Sequence, residues 1–191
     1  PMLSARDNAL EIIRFGNPDR LVGGPPCDGV AYTGANHEGY ASGGHDCPVG
    51  TEWADIWGVG FRKRQEGVMG FPIHHPLPDP SALKTYRWPD PNDERITARA
   101  YELAATRDPN ADSFLSGSHR ETLWERTYNL VGMEALMVYF HTEPDFVREV
   151  LHGVMDFQLG IARHYVEVGV EIAGPGDDLG TQLGPLLSPA L

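Results

Sequence analysis

The sequence is poor in cysteine, in positive charge and in long apolar runs. Two cysteines, Cys27 and Cys47, in 191 residues are too few for a disulfide scaffold of this size. Lys and Arg number 15 against 27 Asp and Glu, a formal net charge of −12. That balance argues against nucleic acid or an anionic membrane surface as the main partner. No stretch approaches the ~20 apolar residues of a membrane span. Pro1-Met2-Leu3-Ser4-Ala5-Arg6-Asp7 lacks a basic-then-apolar leader pattern, and the expected compartment is the cytoplasm. There is no GxGxxG opening a helix, no Walker loop and no Gly-x-Ser-x-Gly elbow. Nucleotide binding through those motifs and a serine hydrolase elbow both lose support.

What is present is a globular composition. Hydrophobic residues make up 41%, too many for a disordered chain. Gly (22) and Pro (16) together reach about a fifth of the sequence, so much of the backbone is loop. The length suits a single domain, 1–191, with two textures: a loop-rich part, 1–91, and a regular part, 92–191. In the first, Ser4 caps a short amphipathic helix to about Phe15. Residues 20–50 read as one or two short strands in long loops. Trp53, Ile56, Val59 and Phe61 suggest extended structure. Four prolines between Phe71 and Pro80 forbid a regular helix or central strand there. Ser81 to Tyr86 suits a turn or two of helix.

The second part alternates strands and helices. A helix capped by Asn92 or Asp93 runs through Ile96, Ala100 and Leu103 to about Thr106. A strand follows at 112–116. Ser118-His119-Arg120-Glu121 reads as a capping box for a helix ending at Gly132. A short helix covers Met133–Phe140. Pro144 opens a long one, with Phe146/Val147, Val150/Leu151, Val154/Met155, Ile161/Ala162 and Tyr165/Val166 on one face, ended by Gly169. Val170-Glu171-Ile172-Ala173 is the last strand. Such alternation predicts an α/β fold with a parallel sheet, whose strand C-terminal ends carry the chemistry. Ser188-Pro189 then announces a helix within whose first turn the sequence stops, so the expectation is part of a longer domain.

Two strand-end loops stand out. Asp177 and Asp178, among glycines, are candidate acid–base residues. Arg120 can clamp an anion and His119 is its neighbour. Cys27, His37, His45 and Cys47 are zinc-ligand types, but Cys-x9-His-x7-His-x-Cys fits no compact structural zinc pattern. His74 and His75 point to opposite faces of extended chain, which disfavours joint ligation. No metal ligands are assigned. Trp53, Trp57, Trp88 and Trp124 read as packing anchors.

Arg14-Phe15-Gly16-Asn17-Pro18-Asp19-Arg20 resembles the helix-then-NPDR opening of the uroporphyrinogen decarboxylase superfamily. Gly117-Ser118-His119-Arg120-Glu121-Thr122-Leu123 resembles its G-x-x-x-T-L segment. Gly132-Met133-Glu134 and Thr142-Glu143-Pro144 resemble its next helices. Gly176-Asp177-Asp178-Leu179-Gly180 with Leu187-Ser188-Pro189 resembles its acidic strand-end loop and LSP helix start. The resemblance implies a (β/α)8 TIM barrel, here its incomplete N-terminal portion. It implies one of two chemistries: cofactor-free decarboxylation of uroporphyrinogen, or methyl transfer using zinc and a corrinoid. The decarboxylases' arginine-bearing N-terminal segment is not visible; Arg62-Lys63-Arg64-Gln65 is arranged differently. The methyltransferase branch is therefore favoured, with zinc ligands expected beyond Leu191. His45-Asp46-Cys47 matches the zinc branch's His-x-Cys in letters but not in position. The implied site residues are Asp177 and Asp178 as catalytic groups and His119, Arg120 and Gln182 at a small-molecule substrate. A corrinoid protein and a second copy of the chain are the implied partners. A true decarboxylase and a non-catalytic binding fragment are the alternatives.

Overall fold

The computed structural model describes residues 2–188; Pro189, half of the expected Ser-Pro helix start, lies outside them. Helix α1 (Ala5–Ile13) is capped by Ser4, whose side chain accepts from the Asp7 amide, 3.0 Å away. Asp112 accepts from the next two free amides, Ala5 (2.6 Å) and Arg6 (3.0 Å), and so fastens α1 to chain a hundred residues away. Strand β1 (Cys27–Val30) is followed by an antiparallel meander, β2 (Glu52–Ala54), β3 (Gly60–Arg62) and β4 (Phe71–His74). Pro72 is tolerated because β4 is an edge strand of that meander. A 3₁₀ turn at Pro80–Lys84 leads to α2 (Glu94–Thr106), capped by Asp93.

Strand β5 (Phe114–His119) lies between β1 and β6 (Ile172–Pro175), parallel to both. Helices α3 (Trp124–Val131), α4 (Met133–Thr142) and α5 (Pro144–Glu167) form the crossover from β5 to β6, and a small hairpin, β7 (Gly180–Thr181) and β8 (Gly184–Pro185), follows. Gly132 (φ 94°) and Gly169 (φ 82°) make the turns after α3 and α5 in the left-handed region that suits glycine. The parallel β-α-β order expected from sequence is present. The described residues form an open three-stranded sheet, not a closed barrel.

Side chains alternate across β5. Leu115, Gly117 and His119 face α5; a Cβ on Gly117 would lie 2.5 Å from the Tyr165 ring, so glycine permits that close approach. The core between sheet and helices contains Val30, Leu115, Ile96, Val154, Phe157 and Ile161. The meander adds Trp53, Trp57, Val59 and Phe61 to the same core, so the loop-rich part and the regular part are one packed unit. Trp53, Trp57 and Trp124 are buried and Trp88 is packed against them, as anchors should be. Arg6 of α1 sits 4.2 Å over the Phe114 ring and pairs with Glu171, bracing the end of the sheet where β5 and β6 begin. The opposite, C-terminal strand ends are open.

The strand at 112–116 and the capping box at 118–121 need correction. Pairing of Ser118 with Gly174 and of His119 with Pro175 carries β5 through His119, and the helix begins only at Trp124. The letters Ser-x-x-Glu were right for a cap, but neighbouring β6 extends the strand through them. Glu121 is buried elsewhere. The last strand likewise starts two residues later than expected, at Ile172.

Candidate functional site

The C-terminal ends of β1, β5 and β6 open onto two clefts that share Arg120. One, about 440 Å³, includes Val30, Asn36, Glu38, His45, Arg99 and Ser118 in its lining. The other, about 260 Å³, is lined by Met69, Glu121, Glu125, Gly176, Asp177 and Asp178 besides Arg120. Arg120 is exposed, and its Nη1 donates to Asn36 Oδ1 at 3.0 Å.

The structure separates the two aspartates. Asp177 Oδ2 accepts from the Leu123 (2.9 Å) and Trp124 (2.6 Å) amides, and Oδ1 from the Glu125 amide (2.7 Å). Helix α3 has no side-chain cap of its own; Asp177 caps it from more than fifty residues away. Asp178 is exposed on the same cleft. Glu125 faces the same carboxylates. Burial, then Glu121, Asp178 and Asp177, push its carboxyl above the usual glutamate range.

His119 is not brought to either cleft. Its Nδ1 lies 2.8 Å from Gln158 Oε1, and its ring meets Tyr165 edge-on, on the helix side of the sheet. Gln182 is exposed in the turn of the β7–β8 hairpin, away from the lining of both clefts. His75 Nδ1 lies 2.7 Å from the Asn129 carbonyl and His74 is exposed. Among the described residues, no three His, Cys, Asp or Glu side chains converge as a metal site.

Sequence reasoning missed the buried charges behind these clefts. Arg126 is 1% exposed and reaches Asp55 Oδ2 (2.6 Å) and Glu121 Oε2 (2.7 Å). His37 Nε2 meets Glu121 Oε1, its ring stacked 4.4 Å from Phe61. Burial would raise Glu121, but Arg126 and then His37 more than offset it and hold the carboxyl down at about 2. Burial outweighs Arg126 for Asp55, whose carboxyl is pushed up. The two acids raise Arg126 above its ordinary value despite burial. His37 (φ 65°) and Glu121 (φ 48°) both occupy the left-handed region, strain that the surrounding pairing sustains. The missed signal was local: Glu121 directly follows Arg120 in a strand-end loop. Its partner His37, and Asp55, which Arg126 ties to it, are far off in sequence.

The fold is a mixed α/β architecture with a parallel sheet, and the candidate site residues Arg120, Asp177 and Asp178 lie at the C-terminal ends of its strands. It is similar to a methyltransferase from Methanosarcina mazei, with a TM-score of 0.56, 14% identity and 90% of this chain covered. This chain spans 58% of that chain. No family model matches the sequence, and no curated protein matches it. At this identity the likeness is one of fold.

Proposed function

We propose that this chain is part of a methyltransferase-like enzyme of the uroporphyrinogen decarboxylase superfamily, from its zinc- and corrinoid-dependent branch, with the open sheet contributing the first strands of a (β/α)8 barrel. The observation that carries the reading is the fold likeness to a methyltransferase over 90% of this chain, 58% of that one. Arg120 holds an anionic group of a small-molecule substrate, and Asp178 faces the same space as a proton donor or acceptor. Asp177 acts through α3: by fixing the start of that helix it holds Glu125 in the cleft wall. The described residues do not assemble a zinc site. In this reading the zinc ligands would come from other strands, and the methyl group would be supplied by a corrinoid protein.

A decarboxylase gains no support from the basic run. Arg62 pairs with Glu52, Arg64 stacks on Phe71, and the buried Lys63 ammonium donates to the His45 and Val68 carbonyls. Lys63 is thereby committed to the backbone, and Arg62 and Arg64 lie outside the lining of both strand-end clefts. The deciding experiment incubates the full-length protein with methylcobalamin and a thiol, and separately with uroporphyrinogen. Thiol methylation is expected; porphyrin decarboxylation alone overturns the reading.

A further inference from the structure

The segment Gly34–Glu38 organises two arginines on one cavity. Glu38 Oε2 accepts from the Gly34 (3.0 Å) and Asn36 (2.8 Å) amides, which fixes its carboxylate in place. Its other oxygen, Oε1, accepts from Arg99 Nη1 at 3.1 Å. Asn36 in turn accepts from Arg120 Nη1 at 3.0 Å. Asn36 and Glu38 thus each brace one guanidinium at the wall of the 440 Å³ cleft. Between them, His37 turns inward to Glu121, and that inward turn at φ 65° sends its two neighbours to the cleft. Each guanidinium spends only Nη1 on these braces, so Nε and Nη2 remain to bind something else.

We infer that this cleft is an oxyanion-binding site in which Arg99 and Arg120 grip the acidic group of a small organic molecule. Arg99 is paired with Glu38, whereas Arg120 is braced by the neutral side chain of Asn36, which leaves its charge available to an acidic group. Val30, Ala31 and Ala35 add a small apolar surface to the lining for the ligand's body, and the volume suits a small ligand. A planar carboxylate and a tetrahedral phosphate or sulfonate share the chemistry of paired guanidinium donors. The inference rests on the functional reading of the strand ends and adds Arg99 and the Gly34–Glu38 brace to it.

Calorimetric titration of the full-length protein tests the site, with propionate, inorganic phosphate and uncharged propionamide as probes. One of the two oxyanions is expected to bind in the millimolar range or tighter. Arg99→Gln and Arg120→Gln should each weaken it at least tenfold. Arg148→Gln, which removes an exposed charge paired with Asp145, should change it less than twofold. Oxyanion binding no tighter than propionamide, or an Arg148→Gln loss equal to that of Arg99→Gln, overturns the site. Methyl transfer assayed on the same variants separates the two readings. Turnover indifferent to Arg99→Gln removes this cleft alone, and oxyanion binding without methyl transfer removes the proposed function alone.

Discussion

Glu121 carries more of the architecture than its place in a strand-end loop suggests. It joins His37 from the loop after β1 to Arg126 of α3, and Arg126 passes the connection to Asp55 of the meander. Replacing Glu121 leaves Arg126 with Asp55 alone and His37 without its acid, and breaking a buried pair in this way costs about 3–5 kcal/mol. Glu121→Gln should therefore be destabilised at neutral pH, measured by urea unfolding. Its pH dependence should also change. The folded-state value, about 2, lies below the ordinary 4.5, so the stabilisation is complete above about pH 4.5 and fades as pH falls to about 2. Asp55, shifted up, contributes the opposite slope. The wild-type urea midpoint should thus fall more steeply than that of Glu121→Gln between pH 4.5 and 2; parallel curves would refute the assignment. None of this was legible at the level of residue type. Glu121 reads as a capping partner, and His37 as one of several loop imidazoles. Their pairing is made by tertiary contact across 84 positions, beyond the reach of spacing rules.

Helices were read best where their signals are local. The apolar face of α5, the opening Pro144 and the closing Gly169 all lie in the chain itself, and the helix appears at Pro144–Glu167. Likewise α2, with Asp93 at its cap, ends at Thr106 as its pattern predicts. Helix α3 was misplaced because its cap is borrowed. This leads to a sharp contrast between adjacent aspartates. Asp177→Ala removes the acceptor for three helix amides and should cost about 1–2 kcal/mol. Asp178→Ala, exposed and outside the cap, should leave the melting temperature near wild type. Thermal unfolding of the two variants side by side checks this, and equal losses would count against the borrowed cap.

At the scale of the whole molecule, the parallel sheet ends in two edge strands, β1 and β6, that are unpaired among the described residues. Free strand edges invite further pairing. Phe15, Leu21 and Leu183 add large apolar side chains that are almost entirely exposed. The 191-residue chain on its own should therefore elute from a sizing column ahead of a 21.0 kDa monomer, as a dimer or larger. A concentration-independent monomer would argue that these edges are adequately protected. The order of parallel strands was legible from helix–strand alternation, whereas the way the meander joins their core was not. Periodicity describes one element at a time, and Trp57 meets Phe157 and Arg126 only when the halves come together. The borrowed cap also has a consequence in time. During synthesis the amides of Leu123, Trp124 and Glu125 emerge about fifty residues before Asp177, at ribosomal rates a delay of several seconds. The first turn of α3 therefore stays frayed on the nascent chain and locks only once β6 has been threaded beside β5.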